Sequence, residues 1–343
     1  MYSESDIDGA VTAGILRADD AAALRNHVAG LRSIPAVDEE HFRLLTGFND
    51  IFVSIALVLL FTALGQIGGS IRGGLAGVFI AAAAWPLAIY FTAKRRMALP
   101  SILLLLAFVG GVAGALGMFT AEWMPDPSPQ TAAVIAAGIA LAAGTASYLH
   151  WRRFMVPITV AAGAAAAVTT VVAIVAAIFP TAKDVVWPAL FVGGLVVFAV
   201  AMWWDISDRE RRTRRSDVAF WLHLAAAPMI AHPVFQMLGI FRSDVSVGMA
   251  VLVMILYLAF AFVALAVDRR ALLVSSLAYV LYAMYSLFQT AGAVELSAAF
   301  TALVIGSALL SLSAFWQPMR RVVVGTLGGV ANRLPPVQTV MTA

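Results

Sequence analysis

The sequence predicts an all-α polytopic membrane protein of about ten transmembrane helices, arranged as five hairpins, with both termini in the cytoplasm. Of its 343 residues, 62% are hydrophobic and only 12% are charged, and the mean hydropathy is +0.92. A soluble domain is about 45–50% apolar and about 25% charged. Apolar runs of spanning length recur along the chain, and lysine and arginine gather in alternate loops. This composition excludes a soluble enzyme.

Three regions follow from the distribution of polar residues. Residues 1–48 are predicted to be a cytoplasmic helical hairpin, 49–318 a ten-helix transmembrane domain and 319–343 a cytoplasmic tail. The first region holds eight acids and four arginines and lacks the basic start and early apolar run of a cleaved signal peptide. We therefore expect the mature protein to begin at Met1, and the acidic hairpin to dock on the basic loops rather than on anionic lipid.

Residues 4–30 have the pattern of two short helices. Ile7, Val11 and Leu16 mark one apolar face, Gly14 supplies a left-handed stop, and Asp19 is placed to cap the second helix. A hairpin this small cannot build its own core. It is therefore predicted to lie against the rest of the chain or against a partner protein.

The string from Val11 to Asp20 reads Val-Thr-Ala-Gly-Ile-Leu-Arg-Ala-Asp-Asp. It resembles the Gly-Ile-Leu…Asp-Asp hairpin that opens an uncharacterised family of bacterial multi-pass membrane proteins, a domain of unknown function. The resemblance covers about 25 residues. It implies a protein of the bacterial inner membrane with no assigned activity, and it brings no catalytic residues with it.

Ten apolar runs follow, separated by short polar breaks. At about 20 residues for each crossing, they leave room only for short loops and the N-terminal segment. The predicted spans are 51–69, 74–92, 98–120, 131–149, 155–179, 185–204, 218–241, 246–266, 271–290 and 294–316.

The basic residues orient these spans. Nineteen of the 22 lie in the N-terminal segment, the even-numbered loops and the C-terminal tail, and only Arg72, Lys183 and Arg242 lie in the odd-numbered loops. Cytoplasmic loops retain lysine and arginine during insertion. Both termini are therefore placed in the cytoplasm.

Paired arginines close each predicted hairpin, at spacings of 57, 62, 55 and 51 residues. Five stacked hairpins would explain this spacing, and so would topology alone, since every inner loop attracts basic residues. A five-plus-five inverted repeat is also compatible with ten helices, although no match between the halves supports it. The pairs are Arg95-Arg96, Arg152-Arg153, Arg214-Arg215, Arg269-Arg270 and Arg320-Arg321.

The seventh span carries His223, Pro228, His232, Pro233 and Gln236. His232 and Gln236 are four residues apart and share a face, whereas His223 and His232 lie on opposite sides and cannot ligate one metal ion together unless the prolines deform the helix. One interpretation is a proline-kinked gate or a binding site. The other is a packed helix with structural histidines, because polar bridges between membrane helices are common.

The ninth span has one polar face. Its members recur at steps of 4, 3, 4 and 3, and lipid would not tolerate them, so the face must meet other helices or a cavity. The seventh span, with His232 and Gln236, is the expected neighbour. The members are Ser275, Tyr279, Tyr282, Ser286 and Gln289.

The third to fifth spans are less polar and contain many small residues. The residues that offer surfaces for close helix contact are Gly110, Gly111, Gly114, Gly117, Gly138, Gly144 and the stretch 161–167. The N-terminal half is therefore predicted to be a packing scaffold and the C-terminal half the polar part.

Several chemistries find no support in the sequence. The chain contains no cysteine, which removes thiolate metal sites and cysteine nucleophiles. No set of nucleophile, base and metal ligands is visible, so we expect no enzyme activity, cofactor or metal, and no nucleic-acid partner. Between the first and last spans, every acid falls in a loop or at a helix end, which disfavours coupling through a midplane carboxylate.

The leading hypothesis is a protein that binds or transports a small, weakly charged or amphiphilic solute through the seventh, ninth and tenth spans. The expected binding residues are His223, His232, Gln236, Tyr279, Tyr282, Ser286 and Gln289. The alternative is a non-transporting scaffold or assembly factor that recruits a cytoplasmic partner through residues 1–48 or the Arg209–Arg215 loop. An enzyme acting on a lipid ranks third.

Overall fold

The computed structural model describes residues 4–32, 48–180, 183–208, 211, 213–239, 247–290 and 297–335. Every regular element in these ranges is helical. The chain forms two compact units, one of residues 1–41 with 336–343 and one of residues 42–335. The fold class is therefore all-α, as the sequence predicts.

The first unit contains the predicted hairpin. Helix α1 spans Glu4–Thr12 and helix α2 spans Ala18–Arg32. Gly14 in the turn has a φ of 71°, the left-handed conformation that glycine adopts most readily. Because α2 begins at Ala18, Asp19 lies in its first turn, where a carboxylate interacts favourably with the helix dipole, and not at the capping position.

The second unit contains eleven of the described helices. Ten of them begin and end within five residues of the limits of the ten predicted spans, and the eleventh begins at the end of the last predicted span and extends into the predicted tail. The bounds are α3 Phe48–Ile71, α4 Gly73–Ala88, α5 Ala98–Trp123, α6 Pro129–Phe154, α7 Ile158–Ile178, α8 Val186–Ser207, α9 Arg214–Met237, α10 Val247–Val267, α11 Ala271–Thr290, α12 Ser297–Ala314 and α13 Trp316–Thr326.

Within the described residues, eight helices are long and apolar enough to cross a membrane, and nine if α12 and α13 count as one bent span. The described apolar stretch of α11, Leu273–Tyr285, is shorter. The chain is therefore a multi-pass membrane protein. The full count of ten spans stays a prediction.

Helix pairing differs from the five expected hairpins. The most extensive contacts join α4 to α5, α6 to α7, and α8 to α9, and α10 packs more on α11 than on α9. In each of these pairs, an arginine-rich loop joins the two helices, whereas the sequence analysis places these loops between successive hairpins. The observed pairs are therefore offset by one helix from the predicted ones. The physical reason is the size of the residues at the crossings, which sets how closely two backbones approach.

The α4–α5 crossing shows this effect most clearly. A Cβ added to Gly77 would lie 2.4 Å from both the backbone nitrogen of Ala115 and the carbonyl oxygen of Gly111. A Cβ on Gly111 would lie 2.7 Å from the carbonyl oxygen of Gly77. At three other predicted contact positions, Gly110, Gly114 and Gly138, an added Cβ would meet no described atom within 4 Å. Only part of the glycine pattern therefore serves packing.

The last helix turns sharply from the one before it. The axes of α12 and α13 meet at 75°. One face of α13 is buried through Trp316, Arg320 and Val324, at four-residue spacing, while Val322 is exposed. An amphipathic helix at this angle to a spanning helix is suited to the membrane–water interface.

Candidate functional site

Polar side chains meet at two levels along α9. His223 and His232 are nine residues apart, which corresponds to about 13 Å along the axis and to opposite sides of the helix. His223 hydrogen-bonds to Asp205 of α8, and His232 hydrogen-bonds to Tyr279 of α11. The structure therefore separates two histidines that the sequence places in one candidate set.

The first level is the α9–α11 polar contact, by which we mean the His232–Tyr279 pair together with Gln236 and Tyr282, one turn further along each helix. The Tyr279 hydroxyl and the His232 Nδ1 atom form a hydrogen bond. The Trp187 ring meets His232 edge-on at 5.2 Å, and the Phe235 ring stacks on Tyr279 at 4.3 Å. The hydrogen-bonded pair is thus framed by aromatic rings from two helices.

Two other predicted residues lie beside this pair. Gln236 is half-buried one turn beyond His232, and Tyr282 is half-buried one turn beyond Tyr279 and packs on the surrounding apolar core. The side chains of Ser286 and Gln289 lie outside the described residues. The neighbouring faces that the sequence expects on these two helices are therefore adjacent over the described part.

The second level is an ionic cluster near the start of α9. His223 Nε2 lies 2.8 Å from Asp205 Oδ2, and Arg269 Nη2 donates to Asp205 Oδ1 at 2.5 Å and to the Ser216 carbonyl at 3.4 Å. The exposed fractions of the side chains of Asp205, His223 and Arg269 are 1%, 1% and 3%. This half of the cluster joins α8, α9 and the loop between α10 and α11.

The other half of the ionic cluster surrounds Asp268. Its carboxylate accepts hydrogen bonds from Arg211 at 3.0 Å and from the Trp316 indole at 2.9 Å. Arg320 Nε lies 3.4 Å from the same carboxylate, and its Nη2 donates to the Pro335 carbonyl at 2.6 Å. Asp268 itself has a φ of 63°, in the left-handed region that aspartate tolerates better than most residues. The cluster therefore also holds α13.

The cluster brings charged groups of both signs close together. Two carboxylates face three guanidinium groups, those of Arg211, Arg269 and Arg320. Burial lowers the pKa of Arg211, the charge of Arg269 lowers it further, and the Asp268 carboxylate opposes both effects. Arginine is not deprotonated in proteins, so Arg211 keeps its charge.

Most of the ionic cluster is absent from the sequence-based prediction. Asp205 and Asp268 stand at a helix end and in a loop, where acids are normally solvated, and the arginines look like ordinary topology signals. One signal is present in the sequence, since each acid lies beside a run of arginines at the end of a span. Asp268 contacts Trp316 and Arg320 of α13, and no local pattern records that α13 returns to this position.

A further buried histidine is also absent from that prediction. His150 has no exposed surface, and its Nδ1 atom lies 3.3 Å from the Thr159 hydroxyl. Its ring contacts those of Phe154 at 4.6 Å and Phe108 at 6.2 Å. Because it stands at the edge of the predicted fourth span, next to Arg152 and Arg153, it looks like a loop residue in the sequence.

The arrangement determines which chemistry is available. Among the described residues, no three histidine, aspartate or glutamate side chains come together in a way that could hold a metal ion. Imidazole, phenol and amide groups of the α9–α11 polar contact can each donate and accept hydrogen bonds. Such a set suits a small polar or amphiphilic molecule that carries little charge. In the ionic cluster, in contrast, the carboxylates, guanidinium groups and His223 Nε2 are directed at one another, and His223 Nδ1 has no hydrogen-bond partner among the described residues.

No protein-family model, curated protein or solved structure matches this chain. Function is therefore inferred from the chemistry of these side chains alone.

Proposed function

We propose that this protein resides in the bacterial inner membrane with both termini in the cytoplasm, and that it binds and transports a small, weakly charged or amphiphilic solute. The solute contacts His232, Gln236, Tyr279 and Tyr282. The ionic cluster closes the cytoplasmic end of the same bundle. The observation that carries this proposal is the hydrogen bond that joins His232 of α9 to Tyr279 of α11.

Polar groups in a membrane interior are costly unless they are paired. His232 and Tyr279 satisfy each other, while Gln236 lies half-buried one turn away. In the α9–α11 polar contact, the apolar rings of Trp187 and Phe235 flank the hydrogen-bonding groups of the protein. An amphiphilic solute, which has both polar and apolar parts, matches this arrangement. A strongly charged solute does not match it, because none of the four residues of this contact is an arginine, a lysine or an acid.

The ionic cluster supports transport more than simple packing. Desolvating a charge costs several kcal/mol, and an ion pair repays this only with good geometry and further hydrogen bonds. Ionisable residues inside a bundle therefore usually serve a function. Here they tie four segments together at the end where the arginine-rich loops gather, which makes the cluster a suitable gate.

Helix α9 links the two levels. Pro228 and Pro233 lie within it, between His223 and the end of the helix. A proline inside a helix removes one backbone hydrogen bond and permits a kink. Bending there would move the polar contact relative to the ionic cluster without unfolding the helix.

Cysteine labelling tests this proposal, since the parent chain has no cysteine. In intact cells, a membrane-impermeant maleimide should label the Gln236→Cys and Tyr282→Cys variants. Val280→Cys, at a fully buried position of α11, and Leu310→Cys, at an apolar position that is 74% exposed and would face acyl chains, should stay unlabelled. Failure to label both Gln236→Cys and Tyr282→Cys would contradict a solute-accessible site.

A scaffold is the second candidate function. The stacking of Phe235 on Tyr279 favours it, because such dry packing is also what two helices need to adhere. Partner recruitment would then use residues 1–48 or the Arg209–Arg215 loop, of which Arg209, Glu210 and Arg212 lie outside the described residues. Unlabelled cysteines at both α9–α11 positions would favour this function.

A further inference from the structure

An apolar groove of about 150 Å³ runs between α11 and α12 and ends at the bend into α13. Leucines from both helices line it, namely Leu273, Leu277, Leu309 and Leu312. Val274, at its edge, is 65% exposed. The groove is therefore open on the outer face of the bundle, where a membrane protein meets acyl chains, and its lining suits a hydrocarbon chain.

One end of the groove is positively charged. Arg270 is exposed there, and its guanidinium lies 4.8 Å from the centre of the Trp316 ring. Trp316 is itself fixed, because its indole donates to Asp268 at 2.9 Å. A guanidinium has five N–H donors, so an arginine that makes other contacts can still bind phosphate oxygens.

The position of this end matches the level of lipid headgroups. Arg270 begins the turn from the loop into α11, and α13 leaves α12 at 75°. An amphipathic helix that turns away from a span in this way lies along the interface. The leucine-lined part then extends about 10 Å into the bilayer, the rise of the seven residues from Arg270 to Leu277.

We propose that this groove binds one anionic glycerophospholipid from the leaflet that faces the arginine-rich loops. An acyl chain lies along the leucines, and the headgroup phosphate pairs with Arg270. Charge complementarity selects the lipid: a basic side chain at the headgroup level attracts an anionic headgroup over a zwitterionic one. The bound headgroup is linked to the ionic cluster, because Arg270 stacks on Trp316 and Trp316 donates a hydrogen bond to Asp268.

Native mass spectrometry of the full-length protein in detergent tests this proposal, with phosphatidylglycerol and phosphatidylcholine as the two probes. The intact protein should retain phosphatidylglycerol in preference to phosphatidylcholine. The Arg270→Gln variant should bind phosphatidylglycerol about fivefold more weakly, the loss expected for one arginine at a membrane surface. Ser313→Phe, which fills the groove from an exposed lining position, should reduce binding of both lipids.

Two matched controls separate the groove from general surface charge and bulk. Arg153 is also exposed and stacks on an aromatic ring, that of Phe154 at 5.5 Å, so Arg153→Gln removes a similar arginine elsewhere. Ser311→Phe adds the same bulk at an exposed position two residues from Ser313. Both controls should bind phosphatidylglycerol as the parent does. Equal losses in Arg153→Gln and Arg270→Gln, or equal retention of the two lipids by the parent, would overturn the proposal.

Discussion

At the scale of single residues, Asp205 is a buried carboxylate with two charged or chargeable partners. It is 1% exposed and pairs with both His223 and Arg269. A buried ion pair is worth little compared with a well-packed apolar pair, but removing one partner leaves the other charge desolvated. The ionic cluster is therefore fragile towards single substitutions.

Asp205→Ala should lower the free energy of unfolding by about 3–5 kcal/mol, because Arg269 then stays buried without its carboxylate. Asp126→Ala, at an exposed position in the loop after α5, should change it by less than about 0.5 kcal/mol. Denaturant or thermal unfolding in detergent measures both. In the double variant Asp205→Ala/Arg269→Met, the loss should be smaller than the sum of the two single losses. Simple additivity would contradict a coupled pair.

Two tyrosines in the helix bundle offer a matched comparison. Tyr279→Phe removes the hydrogen bond to His232 and should destabilise the protein by about 0.5–1.5 kcal/mol. The hydroxyl of Tyr257 on α10 has no hydrogen-bond partner among the described residues, so Tyr257→Phe should be neutral or stabilising. Thermal unfolding of both variants checks this difference. A larger loss for Tyr257→Phe would contradict the assigned hydrogen bond.

The two polar levels differ in how far the sequence predicts them. A polar stripe on a spanning helix must find a partner, so His232 and Tyr279 are expected together from spacing alone. Asp205 and Asp268 carry no such signal, because an acid at the end of a span is ordinarily solvated. Asp268 is covered by Arg211 and by Trp316, so its burial involves the return of α13 onto the bundle.

At the scale of helices, the sequence predicts where each membrane-spanning helix begins and ends, but it does not predict which helices pack most closely on one another. Hydropathy places the end of each span within a few residues, as for α5 and α7, because the bilayer fixes the length of an apolar run. Which helices approach most closely depends on individual glycines, and a run of glycines does not reveal which one faces a neighbour. Gly111 contacts α4, whereas a Cβ added to Gly110 beside it would meet no described atom within 4 Å.

These two glycines give a sharp test of the α4–α5 crossing. Gly111→Ala would place a methyl group 2.7 Å from the Gly77 carbonyl and should destabilise the protein by about 1–3 kcal/mol. Gly110→Ala meets open space and should be neutral or slightly stabilising, since alanine favours helix. Melting temperatures in the same detergent compare them. Equal effects would contradict the crossing.

At the scale of the whole molecule, topology is the first expectation to check. Reporter fusions after Arg215 and Arg321 should be cytoplasmic, and those after Phe241 and Gln289 extracytoplasmic, because the ten predicted spans would place 19 of 22 basic residues on one side. Phe241 lies outside the described residues. A cytoplasmic signal after Phe241 would contradict the ten-span topology.

The most direct test of a solute site closed by the ionic cluster is cysteine labelling from the cytoplasmic side. In inside-out vesicles, an impermeant maleimide should leave the Tyr282→Cys variant unlabelled while the cluster is intact. It should label the Tyr282→Cys/Asp205→Asn variant, because loss of the Asp205–Arg269 pair opens that end. Val280→Cys with Asp205→Asn should stay unlabelled, which excludes unfolding. Equal labelling of the Tyr282→Cys variant with and without Asp205→Asn would contradict the gate.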